Sequence, residues 1–93
     1  MTLTSNISFW SNGFTASFQA NNVSDKAIDG WTVKIKKDGF TISNIWCAEV
    51  EETDEYYVIT PMTWNSNLAA GSFTSFGIHG VGAIADDFEY VIE

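Results

Sequence analysis

Carboxylates, one histidine and a surplus of tryptophans are the side chains of this 93-residue chain that could do chemistry. Glu49, Glu51, Glu52, Asp54 and Glu55 crowd one segment, and Asp86 and Asp87 another. Glycoside hydrolysis needs two carboxyls about 5–10 Å apart across a cleft. These groups read instead as an exposed hairpin tip and a loop, where like charges stay solvated. His79 is the only histidine and Cys47 the only cysteine. A nucleophilic triad would rest on that single imidazole, and one His with one Cys is too small a set for zinc. No acidic run has the ligand spacing of a calcium loop. We therefore expect no catalytic group, no metal and no other cofactor.

The aromatics point elsewhere. Four Trp, three Tyr and seven Phe are many for 93 residues, and a core of that size need not bury them all. Charge then narrows the partner. Twelve acidic against four basic residues leave a net charge of −8. Nucleic acid and anionic bilayers both require a basic surface, and the cluster of Lys34, Lys36 and Lys37 is too small to supply one. A neutral ligand fits, with the negative charge serving solubility. Cys47 cannot close an internal disulfide. No apolar run approaches the ~20 residues of a membrane span, and Thr2 to Ser8 is too polar for a secretion leader.

The elements that must carry these residues are strands. Phe14 to Ala20 alternates apolar and polar with period two, as does Trp31 to Lys36. Asp38-Gly39 is a tight-turn signal, which predicts a hairpin between the second of these and Phe40 to Cys47. Tyr56–Thr60, Phe73–Gly80 and Phe88–Ile92 complete the set, with turn clusters such as Asn65-Ser66-Asn67 between them. Short strands at this spacing, without helical periodicity, predict an all-β antiparallel sandwich of two sheets, immunoglobulin-like or jelly-roll-like, forming one domain over residues 1–93.

Parity sorts the tryptophans. Trp31 shares its phase with Val33 and Ile35 and belongs in the core. Trp46 conflicts with its strand, because Phe40 and Ile42 set one phase while Ile45 and Cys47 set the opposite one. One extra residue near Ser43-Asn44, a bulge, resolves the conflict. It turns Ile45 and Cys47 inward and leaves Asn44 and Trp46 outside, with Cys47 acting as a small hydrophobe. Trp64 and Trp10 each adjoin a turn cluster, a poor place to bury an indole. Exposed large aromatics mark binding surfaces.

In order and spacing, Trp10-Ser-Asn-Gly-Phe14, Asp29-Gly-Trp-Thr-Val33, Ile45-Trp46, Trp64-Asn65, Leu68-Ala-Ala-Gly71 and Phe76-Gly77 resemble the family 2 carbohydrate-binding modules of bacterial cellulases and xylanases. The likeness runs from about Asn6 to the C-terminus. It implies a core role for Trp31 and a sugar-binding face of Trp10, Trp46 and Trp64, flanked by Ser17, Asn44, Ser75 and His79. It also implies a secreted, non-catalytic module, a monomer tethered to a glycoside hydrolase, that binds a β-1,4-linked plant polysaccharide such as cellulose. The end-to-end cystine of many members is missing, several amide positions hold Ser or His, and Phe73 is an added outward aromatic. Two alternatives stay open: a groove for hemicellulose chains (xyloglucan, mannan or glucomannan, xylan), and an adhesion sandwich whose tryptophans meet a protein.

Overall fold

The computed structural model describes residues 1–37, 39–84 and 88–92. Asp38 of the expected turn and the carboxylates Asp86 and Asp87 lie outside the described residues. In chain order the strands are β1 (Thr2–Trp10), β2 (Gly13–Asn21), β3 (Ile28–Asp29), β4 (Val33–Lys36), β5 (Phe40–Trp46), β6 (Ala48–Glu52), β7 (Tyr56–Pro61), β8 (Asn67–Leu68), β9 (Phe73–Gly82) and β10 (Tyr90–Ile92), with a 3-10 turn at Thr63–Asn65. Two four-stranded sheets, ordered β1-β2-β9-β5 and β10-β4-β7-β6, form the expected antiparallel sandwich, and β3 pairs with β8 alone.

The alternation read in the sequence builds the core. Phe14, Ala16, Phe18 and Ala20 of β2 are buried, as are Val33 and Ile35 of β4, Ile59 of β7, and Phe76 and Ile78 of β9. Phe76 is sandwiched between two rings, with Phe18 at 5.1 Å and Trp31 at 5.5 Å between centroids, both stacked. Trp31 is only 2% exposed, and its Nε1 donates to the Asn65 carbonyl at 2.9 Å. An indole buried this deeply needs that acceptor, since an unpaired N–H in the interior is costly.

The expected hairpin between β4 and β5 is not formed. The two strands belong to different sheets, and Gly39, with φ of +79°, sits at a corner between them. The reason lies in Phe40. Its ring meets Tyr57 of β7 across the interior at 5.6 Å, which packs the start of β5 against the opposite sheet. A tight-turn signal reports a reversal of the chain but does not say whether the chain stays in one sheet.

Four strands escaped the sequence reading: the two-residue pair β3 and β8, and the longer β1 and β6. β1 is an edge strand with a largely polar sequence, whose inward positions hold only Leu3 and Ile7 against the core. β6 is the other surprise: Glu49, Glu51 and Glu52 stand on an edge strand, and only Thr53 to Glu55 turn the hairpin into β7. Charges on such an edge oppose pairing with another chain. Lys36 and Lys37, two of the three clustered lysines, pair with Glu89 and Glu52.

Candidate functional site

The outer face of the β1-β2-β9-β5 sheet is set by β9, where Phe73, Ser75, His79 and Val81 alternate with the buried Phe76 and Ile78. Register places the neighbours. His79 lies opposite Thr15 of β2 and Asn44 of β5, and Gly77 lies opposite Ser17 of β2 and Trp46 of β5. On the far edge, Trp10 pairs with Gly13, and Asn6 with Ser17.

Trp46 reaches this face because of the irregularity inferred from the phase conflict. Pairing between β5 and β9 shifts between Ile42 and Asn44. Ile42 faces Gly80, and an unbroken ladder would put Ile45 opposite Gly77 and Trp46 opposite the buried Phe76. The extra residue, Ser43, donates its hydroxyl to the His79 carbonyl at 3.1 Å. Beyond it, Ile45 and Cys47 pack against the core, while Asn44 and Trp46 are exposed.

The rings of Trp10, His79 and Trp46 form one row. His79 sits 5.7 Å from Trp10 and 4.9 Å from Trp46 between centroids, inclined 54° to each. Its Nδ1 and the Thr15 hydroxyl share a 3.1 Å hydrogen bond, fixing the imidazole between the indoles. A glycine lets one indole lie close to the sheet: a Cβ on Gly77 would overlap the Trp46 ring system. At Gly13, opposite Trp10, a Cβ would instead overlap the Gly80 carbonyl of the neighbouring strand.

Trp64 is held separately, on the 3-10 turn, and is 68% exposed. Its neighbour Asn65 anchors that turn from two sides. The Asn65 side-chain amide donates to the Cys47 carbonyl at 2.7 Å, and the Asn65 backbone carbonyl accepts the buried Trp31 indole N–H. Cys47 has φ of +63°, a conformation that non-glycine residues rarely adopt. The chain there leaves the β5 sheet for β6, directly after Trp46, and the Asn65 bond braces the bend. Trp64 is thereby fixed next to the end of β5 through the hydrogen bonds of Asn65 to Cys47 and Trp31.

Ser17 and Ser75 fall on the same face in a shallow depression, joined by Thr4, Asn6 and Gln19. Reading the sequence alone missed Thr4, Asn6, Thr15 and Gln19 as face residues. Two of these lie on the unrecognised β1. Thr15 and Gln19 were visible as outward residues of β2, but nothing then placed that strand beside β9. The parity of Gly77 with Ser75 and His79 was the available sign that a ring must cover it.

The arrangement offers apolar ring faces amid neutral hydroxyl and amide groups. Among the described residues no group of three or more His, Cys, Asp or Glu could hold a metal. The acidic residues of β6 sit in the other sheet.

Comparison with known proteins gives a consistent pattern. Residues 2–88 match the family described as a cellulose binding domain. Endoglucanase A of Clostridium longisporum is 33% identical over 90 residues, covering 97% of this chain but only 17% of that protein. Among solved structures, chitinase ChiA74 from Bacillus thuringiensis superposes with a TM-score of 0.84 at 26% identity, over 99% of this chain and 15% of that one. The chitin-binding domain of Chi18aC from Streptomyces coelicolor gives 0.78 at 25% identity, over 96% of this chain and 88% of its own.

Proposed function

The chain belongs to the cellulose binding domain family, and we propose that it holds a β-1,4-linked plant cell-wall polysaccharide, cellulose or a related glucan, on Trp10, Trp46 and Trp64. It is a non-catalytic polysaccharide-binding module. The observation that supports the assignment of the face is the row of Trp10, His79 and Trp46 on an open sheet, with exposed Trp64 beyond its edge.

The chemistry follows from the ligand. A β-1,4-linked pyranose carries its hydroxyls around the rim and C–H bonds on its faces. Those faces are apolar with partial positive charge, so they stack on the electron-rich indole. Stacking of flat ligands on aromatic side chains is worth about 1–3 kcal/mol per unit where measured on bases, and well-hydrated sugars should fall at the low end. Three stacks, less the cost of ordering the glycan, give a Kd of roughly micromolar to submillimolar. Asn44, Ser17, Ser75 and His79 bond rim hydroxyls, each contributing about 1 kcal/mol, and select among sugars.

Residues 1–93 act in this proposal as one module of a longer, secreted glycoside hydrolase, tethering a monomeric domain to the substrate. The small share of Endoglucanase A that the chain spans supports that setting. A second reading has its own observation: two structural neighbours are a chitinase and a chitin-binding domain. Chitin is β-1,4-linked too, with N-acetyl groups that amide and hydroxyl side chains can recognise.

Depletion isotherms against cellulose, chitin, xyloglucan, glucomannan and xylan test the proposal. Retention on cellulose or another plant glucan, lost in Trp46→Ala and without release of reducing ends, is the expected result. Preference for chitin selects the second reading. Retention on none of them defeats the assignment and favours a protein partner.

A further inference from the structure

Phe73 opens β9 on the same outward side as Ser75, Gly77 and His79, and it is 58% exposed. It takes no part in the packing of the core. A single exposed aromatic needs no explanation by itself. This one, however, is in phase with the tryptophan rows and stands four residues from Gly77, on which Trp46 rests, or about 13 Å at strand pitch. Between them lies the depression lined by Asn6, Ser17, Gln19 and Ser75. That floor offers hydroxyls and amides and no charged side chain, as the rim of a neutral sugar requires.

We propose that Phe73 is a further sugar-stacking platform, engaging across the Ser17, Gln19 and Ser75 depression a glycan chain of the same polysaccharide that lies beside the one held on Trp46 and Trp64. The proposal rests on the tryptophan face being the polysaccharide site. It makes the occupied surface wider than the tryptophans alone define, and it gives the polar depression a role in binding sugar hydroxyls between the aromatic platforms.

Depletion isotherms on regenerated amorphous cellulose and colloidal chitin test it, using the 93-residue chain and its Phe73→Ala, Phe73→Tyr and Trp46→Ala variants, with melting temperatures alongside. On the polymer that the unmodified chain retains, Phe73→Ala should weaken binding roughly fivefold, the low end of one aromatic stack. Phe73→Tyr, which keeps the ring, should bind as the parent does, and none of the Phe73 variants should melt lower. Parental affinity in Phe73→Ala, with binding lost in Trp46→Ala, overturns the further platform and leaves the tryptophan face standing. Parental affinity in both variants, or no retention of the unmodified chain, overturns both readings. Failure of Phe73→Tyr to restore binding, or a melting temperature that falls with affinity, overturns the platform by assigning Phe73 to another task.

Discussion

The indole of Trp46 lies against the backbone of Gly77, so closely that a methyl group there would overlap its Cε2–Cζ2 edge. The contact crosses from β5 to β9 and is available only because Gly77 has no side chain. A ring held this way is ordered before ligand arrives, which reduces the entropy lost on binding.

Gly77→Ala should therefore weaken polysaccharide binding about tenfold, comparable with losing one good stack. The backbone at Gly77 does not require positive φ, since the positive-φ glycines are Gly30, Gly39, Gly71 and Gly82. Stability should consequently fall by no more than about 1 kcal/mol, the usual size for a tolerated substitution. Isotherms paired with thermal melts check this, and parental affinity in a folded Gly77→Ala chain would show that the Trp46 pose does not matter.

Deleting Ser43 tests the bulge. Without the extra residue a regular ladder runs from Ile42 opposite Gly80 through Asn44 opposite His79 and Ile45 opposite Ile78 to Trp46 opposite Gly77, so the indole stays outward. Both apolar halves of β5 keep facing the core, and the deletion should change stability by no more than about 1 kcal/mol. The shortened chain should retain the polysaccharide as the parent does. A folded Ser43 deletion that no longer binds would mean that the bulge does more than shift the phase ahead of Trp46.

How much of this was legible in sequence divides along physical lines. The phase conflict around Ser43 announced the bulge because both halves of β5 carry large apolar residues. Trp31, in phase with Val33 and Ile35, announced its burial in the same way. β1 gave no such sign, for an edge strand needs only one thinly covered inward side, and Leu3 and Ile7 suffice. The sheet to which β5 belongs was hidden for another reason. Gly39 marks a turn, but the partner of Phe40 is Tyr57, seventeen residues on and in the opposite sheet, and local patterns carry no information about it. The grouping of Trp10 with Trp46 around His79 is likewise a product of long-range register, and resemblance to a family supplied it where periodicity could not.

Trp64→Ala isolates the tryptophan that touches neither His79 nor the sheet glycines. Its side chain is mostly in solvent, so removing it should change stability by less than about 0.5 kcal/mol. Retention on the polysaccharide should nonetheless be lost, if the ligand runs off the edge of β5 onto the 3-10 turn. Undiminished binding would confine the site to the Trp10, His79 and Trp46 row.

Trp31→Ala should act through both stability and binding. The indole fills the core beside Phe76, so truncation should cost about 3–5 kcal/mol, as for other large buried side chains. It also removes the N–H that holds the Asn65 carbonyl, which loosens the turn bearing Trp64. Trp31→Phe separates the effects, since it restores most of the ring volume while still lacking the donor. That variant should recover much of the melting temperature and yet bind polysaccharide more weakly than the parent chain. Equal affinity in Trp31→Phe and the parent would show that the bond from the core does not position Trp64, and a parental melting temperature in Trp31→Ala would contradict the burial itself.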